Sequence, residues 1–119
     1  MFVHEQGVSE HEEHDGKDPE CLHAVAYADA APVGTGRLLP TGKIGRMAVR
    51  APFRRQGVGG KILHALMQEA RARGFGEVHL DAQLGAIAFY ERHGFVAHGA
   101  VFKDAGIDHR RMSRRLDPA

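Results

Sequence analysis

Cysteine is nearly missing from this chain. Cys21 is the single one among 119 residues, so no disulfide framework staples the fold, and a reducing compartment such as the cytoplasm fits it best. Tryptophan is absent and aromatics reach only 7% of residues, which leaves the core to aliphatic side chains. No apolar run approaches the roughly 20 residues of a membrane-spanning helix. The opening MFVHEQGVSE lacks the basic and apolar regions of a secretory leader. A surplus of charge is missing too. Lys and Arg number 16 against 15 Asp and Glu, and a formal net charge of +1 argues against a dedicated nucleic-acid binder. Repeats, low-complexity tracts and linkers are likewise absent, and this length suits one domain with one core.

What the chain does have is 15 glycines and 9 histidines. Its charges are also unevenly spread. Seven carboxylates lie between Glu5 and Glu20 against Lys17 alone, and four arginines crowd 110–115 without an acid. Both read first as solvated surfaces. The histidines do not suggest a metal: HEEH at 11–14 is not HExxH, and no second pair of ligands matches it.

Residues 21–28, CLHAVAYA, predict a buried strand and 33–39 a second, with Pro40-Thr41-Gly42 as the hairpin turn between that strand and a third over 43–50. Ala51-Pro52 ends the third. Residues 61–73, KILHALMQEARAR, predict the clearest helix, with Ile62, Leu63, Leu66, Met67 and Ala70 on one stripe and Gly74 as its C-terminal stop. A strand over 77–82, a short helix over 85–93 stopped by Gly94, a strand from Phe95 and a closing edge strand in RRMSRRL complete the pattern. The sum is a mixed α/β sheet domain.

The segment Arg54-Arg55-Gln56-Gly57-Val58-Gly59-Gly60-Lys61 joins the third strand to the main helix. A helix start exposes N–H groups with no intrahelical partner, glycines let a ligand approach the backbone, and the flanking bases add positive charge. An anion site is expected here, most naturally for a phosphate. It is not a nucleoside-triphosphate loop, because Ile62 stands where Ser or Thr would follow Gly60-Lys61 and Arg55 replaces the first glycine. A dinucleotide fingerprint starting at Gly57 fails on Ile62 as well. Without a hydroxyl for magnesium, the loop suits a pyrophosphate that is held rather than cleaved.

The remaining pattern is Arg-x-x-Gly-x-Gly from Arg54 to Gly59, preceded by GRMAV and followed by FYERHGF at 89–95. With these motifs in this order, the chain resembles the acyl-CoA N-acyltransferases of the GNAT superfamily, from about Gly34 to Phe95. Its two ends are similar to a small bacterial subgroup of that superfamily with undefined substrate. The resemblance implies a mixed, mostly antiparallel central sheet with splayed central strands and flanking helices. It also implies acetyl-CoA as cosubstrate, no metal, and a small-molecule amine acceptor.

By the same resemblance, Arg54, Arg55, Gln56, Gly57, Val58, Gly59, Gly60 and Lys61 wrap the pyrophosphate of coenzyme A, and Met47, Ala48 and Val49 offer backbone groups to pantetheine in the splay. The Val49 N–H is a candidate donor to the thioester carbonyl. Tyr90 matches the tyrosine placed beside the departing thiolate, Phe89 packs against the cofactor, and Gln83 takes the place of an Asn that contacts it. An alkylamine is charged at neutral pH, so its proton needs an acceptor. Glu5 leads for that part, ahead of His79 and His109. The acidic stretch 5–20 is expected to border the acceptor pocket and to favour a cationic amine.

One departure stands out: relatives begin with a strand and most of a helix ahead of the segment matching Phe2–Val8, so the domain reads as N-terminally shortened. A displaced start codon, a truncated gene, or a partner subunit over the exposed region (a second copy in a homodimer, for instance) are the open explanations. The alternative function is a catalytically silent acyl-CoA-binding or regulatory module.

Overall fold

A computed structural model describes the backbone of residues 7–13 together with residues 21–28, 30–54 and 56–117. Four strands come first: β1 (Gly7–Glu13), β2 (Cys21–Ala28), β3 (Ala31–Leu38) and β4 (Ile44–Val49). Helix α1 (Val58–Ala72), β5 (Glu77–Gln83), α2 (Ile87–Arg92), β6 (Val96–Asp104) and β7 (Ile107–Arg115) follow. The first four strands form an antiparallel meander, and the last three form a second antiparallel sheet in the order β5-β7-β6.

Alternation along the strands explains why both helices lie on one side of the sheets. Leu22, Ala24, Ala26 and Ala28 of β2 are buried, while His23, Val25 and Tyr27 between them are only half-buried. Val78, Leu80 and Ala82 of β5 repeat the pattern. Onto this side α1 lays its predicted stripe, with Ile62, Leu63, Leu66, Met67 and Ala70 all buried. The helix comes close because β3 carries glycines beneath it. A Cβ on Gly36 would stand 2.8 Å from Ile62 and 2.7 Å from the Met47 sulfur, closer than packed atoms go. Helix α1 rests on β2, β3 and β4, and α2 on β5 and β6. We call this side the helix face and the other the distal face, which no helix covers among the described residues.

Most elements fall where periodicity puts them, with three differences. Helix α1 begins at Val58 rather than Lys61, because the glycine loop itself forms the first turn. The C-terminal segment is not an edge: β7 inserts between β5 and β6, so its ladder groups are satisfied on both sides. Residues 7–13, within the stretch read as solvated, pair along β2 as edge strand β1. An open strand edge outweighs the weak strand propensity of GVSEHEE.

Candidate active site

The two sheets meet at one point. Lys43 and His79 form a single parallel bridge, with the His79 N–H donating to the Gly42 carbonyl at 3.1 Å. Beyond it β4 and β5 part, and their facing edges do not pair. A bulge helps β4 turn away. The β3–β4 register shifts between Thr35 and Arg37, and Arg46 opposite takes φ +52°, a left-handed conformation that a non-glycine residue rarely adopts. The splay expected from the family resemblance is present.

The wide end of the gap opens into a cavity of about 1340 Å³ on the helix face, lined by Met47, Ala48 and Val49 and by the start of α1. Gly57 precedes the helix at φ +82°, with nothing within 4 Å of where its Cβ would be, so backbone shape alone calls for glycine there. The first intrahelical bond runs from the Lys61 N–H to the Gly57 carbonyl. The N–H groups of Val58, Gly59 and Gly60 precede it, and no side chain caps them and no acid sits in the first turn. Uncapped donors, the positive end of the helix dipole and Lys61 make this a cradle for an anion. Arg54 has a second duty: its Nε donates to the Val49 carbonyl at 2.9 Å and ties the loop to the end of β4.

Helix α2 closes the cavity. Phe89 lies about 3.5 Å from where a Gly59 Cβ would stand, and Tyr90 packs edge-on against Phe89 and Phe95, with ring centroids 5.0 and 5.8 Å apart. Burial raises the pKa of Tyr90, so the phenol keeps its proton at neutral pH and can give one up only to a strong base nearby. His93 completes the wall. Its ring leaves only 3.1 Å for a Cβ on Gly60, and burial, then the Arg92, Arg114 and His64 charges, lower its pKa.

The structure therefore gathers Met47, Ala48, Val49, Arg54, Gly57, Val58, Gly59, Gly60, Lys61, Phe89 and Tyr90 around one cavity. Gln56 turns back to the Pro52 carbonyl at 3.1 Å. Gln83 ends β5 opposite His109 and is not among the cavity-lining residues. Glu5 and Arg55 lie outside the described residues. Sequence reasoning missed Phe53, His64, Gln68, Arg92 and His93 in the wall. His64 and Gln68 were legible as the turn-by-turn continuation of the helix start along one face, whereas His93 needed the tertiary fold. A group of His, Cys, Asp or Glu arranged for a metal does not occur among the described residues. No described helix is long and apolar enough to cross a membrane.

On the distal face, β5 and β7 bring a second set of side chains together by register. Asp81 lies opposite Arg111 and His79 opposite Ser113. Arg111 Nε donates to Asp81 at 2.8 Å and Lys43 Nζ stands 3.3 Å from the other carboxylate oxygen. Burial works to raise the Asp81 pKa, but the hydrogen bonds and charges of Arg111 and Lys43 outweigh it and hold the carboxyl below its usual range. His79 shifts down, chiefly through burial and then through Arg111 and Lys43.

Residues 1–116 match the family model described as an acetyltransferase (GNAT) domain. The uncharacterized N-acetyltransferase YjcF of Bacillus subtilis is 40% identical over 118 residues, covering 96% of this chain and 84% of that protein. Among solved structures, an acyl-CoA N-acyltransferase from Pseudomonas aeruginosa superposes with a TM-score of 0.73 at 32% identity, over 84% of this chain and 73% of that one. ElaA of Escherichia coli gives 0.75 at 25% identity, with the same two coverages of 84% and 73%.

Proposed function

The chain belongs to the GNAT acetyltransferase family, and from that premise we propose that it moves an acetyl group from acetyl-CoA to a primary amine by direct attack. The observation that carries this reading is the convergence on one cavity of an uncapped helix start, the parted edge of β4 and a half-buried, protonated tyrosine. Acetyl-CoA supplies an activated thioester. The first-turn N–H groups of α1 and Lys61 fit its pyrophosphate, and the β4 edge at Met47–Val49 fits an extended chain bearing amides. Tyr90 has the protonation state needed to stabilise or protonate a departing thiolate. The reaction would run in a reducing compartment such as the cytoplasm, which the lone Cys21 suits.

Melting of the chain with acetyl-CoA, CoA and ATP tests the first half. Stabilisation of about 2.7 kcal/mol is expected at roughly 100 times the dissociation constant of a true ligand, for the first two and not the third. A folded sample that ignores all three overturns the proposal. Turnover on an amine panel tests the second half. Tyr90→Phe should slow it by about 10²-fold or more while acetyl-CoA binding stays unchanged. Coenzyme binding with no turnover on any amine would instead identify a silent acyl-CoA-binding module.

A further inference from the structure

The distal-face cluster sits where the acceptor must arrive. Helices α1 and α2 and the glycine loop occupy the helix face of the gap, so the second reactant approaches from the other side. The anion cradle is at the wide end, so the reactive end of an extended cofactor points toward the closed end, where Lys43 and His79 bridge the sheets. Asp81, Arg111 and Lys43 surround that point.

Two cations here share one carboxylate. Asp81, with 16% of its side chain exposed, fixes Arg111 and Lys43, which stay 48% and 40% exposed. Arg111 uses Nε for this bond, and its two terminal nitrogens meet no second acceptor among the described residues. A guanidinium held in this manner keeps a forked edge that matches a carboxylate. Surface ion pairs add little stability, so a triplet with one charge left over is poorly accounted for by folding alone. Glu77 on the same face lies opposite Arg115 in register, and these two opposite charges leave the net surplus unchanged.

We propose that Arg111 and Lys43 bind a carboxylate on the acceptor, which makes the substrate class a primary amine that also carries a carboxylate. This rests on the acetyltransferase reading and replaces the cationic acceptor suggested by the acidic stretch 5–20. Asp81 is the positioning residue that holds both cations.

The test uses the full chain saturated with CoA and product-like probes, followed by amide chemical shifts. The probes are N-acetylglycine, N-acetyl-β-alanine and N-acetyl-4-aminobutyrate, each paired with the N-alkylacetamide in which a methyl replaces the carboxylate. At least one carboxylate should bind about tenfold or more tightly than its partner and move the amides of Asp81 and Arg111. Arg111→Gln and Lys43→Gln should each erase that preference, with melting and CoA binding as controls for folding. If Arg111→Gln fails to fold, Lys43→Gln decides. Equal binding within every pair, no binding by any probe, or a preference that survives the substitution overturns the proposal and leaves the acetyltransferase reading intact. Failure of CoA to stabilise the chain removes both.

Discussion

The cavity on the helix face and the charged patch on the distal face are neighbours built by opposite means. The cavity comes from two short runs of sequence, 47–68 and 86–93, and its anion cradle and parted strand edge are built largely from backbone. The patch comes from single side chains on two strands and on the turn ahead of β4, and Arg111 stands 30 residues from the Asp81 it binds. Backbone recognition demands glycines and a helix start in fixed order, which survives as a motif. Side-chain recognition demands only register, which leaves no local trace. A site of the first kind can serve a whole family with one cofactor, and one of the second kind can change its acceptor strand by strand.

The contrast between the faces can be tested, beginning with packing. Leu66→Ala, on the fully buried stripe of α1, should cost about 2–5 kcal/mol by denaturant titration. Val96→Ala, 65% exposed and in register with the distal-face Ser113, should stay within about 0.5 kcal/mol. Similar losses at both would mean that the distal face is as well covered as the helix face. A smaller effect is expected from Gly57→Ala, roughly 1–2 kcal/mol from the left-handed backbone alone, accompanied by weaker acetyl-CoA binding in a calorimeter. Retained affinity would show that the shape of the loop is not what binds.

Acid should weaken both regions together. His93 on the helix side and His79 on the distal side have pKa values lowered by burial, so the unfolded chain takes up their protons first. Stability from these two groups is complete well above about pH 6.5 and falls as pH drops through that value toward their folded pKa values. Asp81, lowered too, adds a further loss as pH falls below the ordinary carboxyl value of 3.8. Melting temperature from pH 8 to 5 should decline, and the decline should flatten in a His79→Gln/His93→Gln double variant. An unchanged slope would assign the acid sensitivity to other groups. A small effect on stability is expected from Lys43→Gln, no more than about 1 kcal/mol, even where it abolishes carboxylate preference.

Much of the fold was legible because periodicity and punctuation agreed. The stripe of α1, the stops at Gly74 and Gly94, and the alternation of β2 and β5 all mark elements the structure contains. The position of β7 between β5 and β6 was not legible, since a strand's own pattern does not reveal how many neighbours it has. For the site, Gly57–Lys61 and Phe89–Tyr90 stood out as motifs, whereas His93 in the cavity wall depends on how closely α2 meets the start of α1. Asp81 read as an ordinary polar position in an alternating strand, because its partners come from β7 and from the turn ahead of β4.

The single bridge at Lys43 and His79 gives the molecule the mechanics of a pair of tongs. Main-chain hydrogen bonds join the two sheets only at this fulcrum among the described strands, and the aliphatic core beneath α1 acts as the spring. A ligand lying along β4 would then serve as a wedge between the jaws, stiffening them far from the atoms it touches.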